Sequence, residues 1–162
     1  MEGRYKPYED HLGNYGEVAE VVVADWLARI GHSVRLKQDK FGPDITCEMG
    51  GWEFTVEVER CMEKRWKNGA EPFPFSTLSV IERRLKYFRT GVNMVVSADM
   101  AAGFVIKRSV AKDAHKRHGM ESLFGELRLM VPVESCLLVD LTSSEPVDIG
   151  MSESELFVNE NA

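Results

Sequence analysis

Between Gly42 and Arg60 the chain reads GPDITCEMGGWEFTVEVER, a near-perfect alternation of apolar and polar residues interrupted by Gly50-Gly51. Side chains along a strand point to alternate faces. A Gly-Gly pair between two alternating runs is a two-residue hairpin turn. The turn sets the register, so Met49 faces Trp52, Cys47 faces Phe54, Ile45 faces Val56 and Asp44 faces Glu57. One face of the ribbon then carries Ile45, Cys47, Met49, Trp52, Phe54, Val56 and Val58, and the other Asp44, Thr46, Glu48, Glu53, Thr55, Glu57 and Glu59. A slip of one residue would exchange the faces. The stretch therefore commits the chain to a sheet with one buried and one carboxylate-lined surface.

That second surface needs an explanation. Directly paired residues on neighbouring strands have Cβ atoms about 4.5–5.5 Å apart, and like charges at that distance are destabilising. Asp44 and Glu57 form such a pair, and Glu59 lies one step further along the same face. Water offsets the repulsion if the face is exposed. A hard divalent cation does so too, since Mg²⁺ takes oxygen ligands and binds one or two carboxylates together with substrate phosphate. Both readings stand at this level. Glu48 and Glu53, close to the hairpin tip, are assigned to solvent.

The remaining pattern alternates helices and strands. Tyr15 to Ile30 reads as an amphipathic helix with Val18, Val22 and Trp26 at helical spacing and Val21, Leu27 and Ile30 widening the stripe. Asn14 and Glu17 have capping-box spacing, and Gly31 ends the helix. HSVRLK is a short strand, QDKFGP a loop, and CMEKRWKNGAEPFPF a second loop. Ser79 and Glu82 form another capping-box pair, opening a helix VIERRLKYFRT with Ile81, Leu85 and Phe88 inward. VNMVVSA and GFVIKRS are strands, VAKDAHKRHG is a basic helix, and ELRLMVPVESCLLVDL supplies one or two late strands. The order predicts an α/β domain with a mixed central β-sheet flanked by helices. Residues 1–142 form one domain and residues 143–162 an acidic C-terminal tail. With 162 residues, 44% hydrophobic and 28% charged, the chain fits one ordinary globule.

Charge is unevenly spread. The formal net charge is −6, yet Ser143–Ala162 holds five acids and no Lys or Arg, leaving 20 basic against 21 acidic residues in the body. Arg60 to Thr90 holds eight basic residues and three acids. This local excess, including Arg60, Lys64, Arg65, Lys67, Arg83 and Lys86, suits a phosphate backbone as well as a solvated face. Trp66, Phe73 and Phe75 in the same region either pack the loop or touch bases. His115 and His118 read as part of a solvated basic face, and Met94 and Met100 as packing residues. No apolar run reaches the roughly 20 residues of a membrane span, and the three cysteines lack ligand spacing. Together these imply no membrane, no zinc site and a reducing, cytoplasmic setting.

GPD at Gly42 to Asp44, an apolar strand, and EVE at Glu57 to Glu59 resemble the PD-(D/E)xK nuclease superfamily. GEVAEVVVADWLARIGHSV is similar to that family's opening helix, which often carries a Glu near its start. The resemblance spans roughly Gly13 to Ala98. It implies a restriction-endonuclease-like core, Mg²⁺ or Mn²⁺ held by Asp44 and Glu57 with Glu59 as third ligand or base, and Glu17 approaching the metal. It also implies DNA, double-stranded or branched, as substrate, with a homodimer as the expected assembly. Glu59 stands where the family usually has Lys. The cationic role would then fall to Arg60, Lys64, Arg83 or Lys86. A nucleic-acid-binding or assembly protein that keeps the scaffold without turnover is the alternative.

Overall fold

The computed structural model describes residues 8–36, 44–49, 52–81, 91–118, 120–123, 126–147 and 149. Helix α1 (Tyr8–Arg29) leads into β1 (Ser33–Leu36), β2 (Ile45–Met49) and β3 (Trp52–Arg60). A short helix α2 (Glu63–Trp66), β4 (Thr77–Ile81), β5 (Gly91–Val96) and β6 (Ala102–Lys107) follow. The chain ends in α3 (Arg108–His118), β7 (Met120–Leu123), β8 (Glu126–Pro132) and β9 (Leu137–Asp140). The fold is the expected mixed α/β class: a six-stranded sheet in the order β1-β2-β3-β5-β6-β9, parallel between β3 and β5 and antiparallel elsewhere. One face is covered by α1. The other is covered by α3 together with a second, three-stranded sheet, β4-β8-β7, which the sequence reading did not foresee.

The ribbon has the expected register, with Ile45 opposite Val56, Cys47 opposite Phe54, Glu48 opposite Glu53 and Met49 opposite Trp52. Gly50 and Gly51 lie outside the described residues. Ile45, Cys47, Phe54, Val56 and Val58 are buried against Ala19, Val23, Trp26 and Leu27 of α1. Trp26 and Leu27 are buried and Ile30 packs against the same core, as expected. The N-terminal half of the stripe is corrected: Val18 and Val21 are exposed, and Ala19 and Val23 face inward instead, at positions three, four, seven and eight apart from Trp26 and Leu27. The valine-rich run made either phase plausible by composition, and the small Ala19 lets the helix lie closer to the strands.

Helix α1 also begins well before Tyr15, so Asn14 is inside it and the capping box with Glu17 does not form a terminus. Its C-terminus is as expected. Gly31 adopts φ 111°, and the amides of Gly31 and His32 donate to the carbonyls of Ala28 and Leu27, a Schellman closure. Gly91 is required for another reason. A Cβ there would sit 1.9 Å from the Thr55 carbonyl oxygen, so only glycine lets β5 lie this close to β3.

The second capping box is likewise corrected. Ser79 lies in β4, paired with Met130 of β8, with Leu78 and Val80 buried on either side. Period-two burial against a distant strand outweighs a local helix signal. The expected helix beyond it, with Arg83 and Lys86, lies outside the described residues. Trp66, Phe73 and Phe104 pack ring against ring at 5.3–5.7 Å, which assigns the first two to the core of the second layer. Met94 is buried and Met100 packs against the α1-side core, as expected. After β9 the chain returns to the body. Arg29 donates to the carbonyls of Leu141 and Ser143, and Ile149 is buried in the α1-side core.

Candidate metal and nucleic-acid site

The acidic face of β2 and β3 lies on the side of the sheet away from α1, where the second layer sits. Asp44 and Glu57 are both buried, 6% and 4% exposed. They are brought together as the ribbon register requires. The Asp44 backbone N–H donates to Glu57 Oε2 at 2.9 Å, and the Val58 N–H donates to Asp44 Oδ2 at 2.9 Å. Backbone donors to carboxylates make charge-assisted hydrogen bonds. They offset part of the cost of placing two acids side by side out of water.

Glu59 is treated differently. Arg128, reaching across from β8, approaches Glu59 Oε2 at 3.3 Å and donates to Ser79 Oγ at 2.8 Å. Glu59 Oε1 is buried with no hydrogen-bond partner among the described residues. The cation beside Glu59 is therefore Arg128, a residue the sequence reading did not single out. No local pattern could have found it, because 69 residues and an inter-sheet contact separate the two.

Asn93 was also missed. It is fully buried on β5, directly alongside Glu57 in the parallel register, and neither its Nδ2 nor its Oδ1 has a hydrogen-bond partner among the described residues. A polar residue in the run GVNMVV was the available signal.

The other expected site residues lie elsewhere. Glu17 is exposed on α1, whose buried side faces the opposite surface of the sheet. Arg60 is committed to the fold: its guanidinium donates to the carbonyls of Ala98 and Tyr15 and stacks 3.8 Å from the Tyr15 ring centroid. Lys64 and Lys67 are exposed at and just after α2, and Arg65 lies 5.0 Å over the Phe75 ring. Glu48 and Glu53 are exposed at the hairpin tip, where Arg35 pairs with Glu53 at 2.7 Å.

A hard, oxygen-only donor pair fits Mg²⁺, which commonly uses one or two carboxylates and completes its shell with water and phosphate. Among the described residues, no group of three His, Cys, Asp or Glu side chains is arranged to hold a metal ion. Asp44 and Glu57 are the two buried carboxylates of this surface, while Glu59 is turned to Arg128. Among the described residues no helix is long and apolar enough to cross a membrane.

No protein-family model matches the chain, and no curated protein does. Among solved structures, the chain is similar to a bacterial homing endonuclease, I-Ssp6803I, with a TM-score of 0.44 and 13% identity over 90% of this chain and 89% of that one.

Proposed function

We propose that this protein is a Mg²⁺- or Mn²⁺-dependent endonuclease that hydrolyses phosphodiester bonds in DNA. The observation that carries the reading is the buried Asp44–Glu57 pair, Asp44 just before β2 and Glu57 on β3, held by backbone donors and lying within a PD…ExE sequence pattern. Asp44 and Glu57 would hold the cation, whose chemistry there is Lewis-acid polarisation of a phosphate oxygen and acidification of a coordinated water. Glu59 Oε1, buried and unpartnered, is the oxygen that accepts the proton of the attacking water, while Arg128 holds the other carboxylate oxygen and fixes the rotamer. Exposed Lys64 and Lys67, with Arg65, Arg83 and Lys86, supply phosphate contacts along the flanking DNA. A scaffold that binds nucleic acid without turnover is the second reading. The Glu59–Arg128 ion pair favours it, because the guanidinium occupies one of the two carboxylate oxygens that a base or third ligand would offer.

Calorimetric titration of Mn²⁺ into wild type and Asp44→Asn, alongside cleavage of linear, nicked, branched and single-stranded DNA, tests the proposal. Wild type should take up Mn²⁺ and cut at least one duplex form. Asp44→Asn should lose uptake and lower the cleavage rate by about 10³-fold, several kcal/mol of transition-state stabilisation. Its apo melt should stay at or above that of wild type, since one of two paired like charges is removed. Absence of Mn²⁺ uptake by wild type, with DNA present, would move the assignment to the non-catalytic scaffold.

A further inference from the structure

Buried polar groups are almost always hydrogen-bonded, and an orphan needs a reason. Asn93 is an extreme case: fully buried, with both ends of its carboxamide unpartnered. Its place makes it informative. Its Cα neighbour on β3 is Glu57, and on β6 it is Ile106. Strands that pair lie about 4.8 Å apart, and residues in register share a face. Asn93 therefore stands on the carboxylate surface beside Glu57, with Val95 and Ile106, while Val92 and Met94 turn to the α1 side. An apolar residue would have suited this strand better, since Val92, Met94, Val95 and Val96 are all buried.

We propose that Asn93 is a ligand of the acidic site, whose Oδ1 adds a third hard oxygen to Asp44 and Glu57 for a hydrated divalent cation. The inference rests on the metal reading of that pair. A side-chain amide oxygen is a hard, neutral donor of the kind that oxygen-liganded cations accept. It adds no negative charge to two carboxylates already close together, so the empty site is spared a third like charge that Asp or Glu would bring. Glu59 Oε1, two residues along β3 from Glu57 and also buried without a partner, is a second orphan on the same surface. The Asn93 carboxamide and Glu59 Oε1 share the surface that carries Asp44 and Glu57, as expected if a polar ligand is shared among them. The carboxamide nitrogen, left over once Oδ1 is engaged, is a donor for a phosphate oxygen or a carboxylate.

Two near-isosteric substitutions separate this role from a structural one. Asn93→Leu removes both unpaired atoms and should raise the apo melting temperature by about 2–6 °C, while weakening Mn²⁺ affinity by about 10–100-fold. Asn93→Asp keeps the oxygen and adds a charge. It should lower the apo melting temperature and bind Mn²⁺ at least as tightly as wild type. The measurements are Mn²⁺ titration calorimetry and metal-free thermal melts of the three proteins, with Asp44→Asn as the binding-null control. Equal Mn²⁺ affinity in wild type and both variants overturns the role of Asn93 and leaves the Asp44–Glu57 reading intact. No uptake by wild type overturns both. Should Asn93→Leu fail to fold, Asn93→Asp decides alone: weaker binding than wild type counts against Asn93 as an oxygen donor.

Discussion

The two faces of the six-stranded sheet bury side chains equally well but dispose of their polar atoms differently. On the α1 side, Ile45, Phe54, Val56, Met94 and Val105 meet Val23, Trp26 and Leu27, and the described orphan there is the single indole N–H of Trp26. On the other side, Leu78, Val80, Phe104, Ile106, Leu129 and Val131 make an equally apolar cluster. Yet the same surface carries buried Asp44 and Glu57, the unpartnered Asn93 amide and the unpartnered Glu59 Oε1. The first face is closed by shape. On the second, the Asn93 carboxamide and Glu59 Oε1 have no hydrogen-bond partner among the described residues, the pattern expected where stability has been traded for a site.

The largest effect should come from breaking the shape-closed face. Phe54 is fully buried, edge-on to His32 at 5.6 Å. Phe54→Ala should cost about 3–5 kcal/mol, read from urea unfolding at pH 7. Because Phe54 and Glu57 are on opposite faces of β3, whatever remains folded should keep its Mn²⁺ affinity. A parallel loss of both would mean the two faces are not independent.

An intermediate effect should follow from uncoupling the second layer at the site. Arg128 ties β8 to Glu59 of β3 and to Ser79 of β4. Arg128→Met keeps much of the aliphatic length but leaves Glu59 without its cation. The pair is partly exposed, 17% and 26% for the two side chains, so the cost should be about 1–3 kcal/mol, below that of a fully buried pair. Glu59→Gln in the Arg128→Met background should recover part of it, and a double-mutant cycle isolates the coupling. If Arg128 also positions Glu59 as the base, Arg128→Met lowers the cleavage rate while leaving Mn²⁺ affinity unchanged. Additive stabilities together with an unchanged cleavage rate would reduce Arg128 to a surface contact.

What could be read from the sequence follows the same division. The pairing of Ile45–Met49 with Trp52–Val56 was legible to the residue, because alternation over two strands leaves one register that buries a single face. Gly31 and the paired acids were legible for the same reason: each is a local signal with a single physical solution. The second layer was not. TLSVI carried a helix-start pattern at Ser79, and only its pairing with ELRLMVP makes it a strand. Arg128 and Asn93 acquire meaning from neighbours far away in the chain. In α1 the C-terminal half of the stripe, Trp26, Leu27 and Ile30, was legible, but the valine run before it was not, because it carries no contrast between one helical face and the next.

The smallest effect compares the faces by thiol chemistry. Cys47 lies in the α1-side core, Cys61 in the second-layer core, and Cys136 packs against the latter; all three are free. Burial pushes the Cys47 and Cys136 thiols up to about 12. Burial also pushes Cys61 up to about 11, with the Glu59 charge adding to the shift and Arg65 opposing it. Such thiols are protonated and unreactive at pH 8, so native protein should resist alkylation there. The unfolded chain releases these protons near its ordinary value of 9.0, whereas the folded chain holds them longer. The thiol contribution to stability is therefore complete below pH 9 and declines as pH rises through about 11 for Cys61 and about 12 for the other two. In sub-denaturing urea at pH 8, local opening should begin where polar atoms are least satisfied. Cys61 and Cys136 should then be alkylated before Cys47, as read by mass spectrometry of the digested protein. Labelling of Cys47 first would place the weaker contact beneath α1 and reverse the ranking of the two faces.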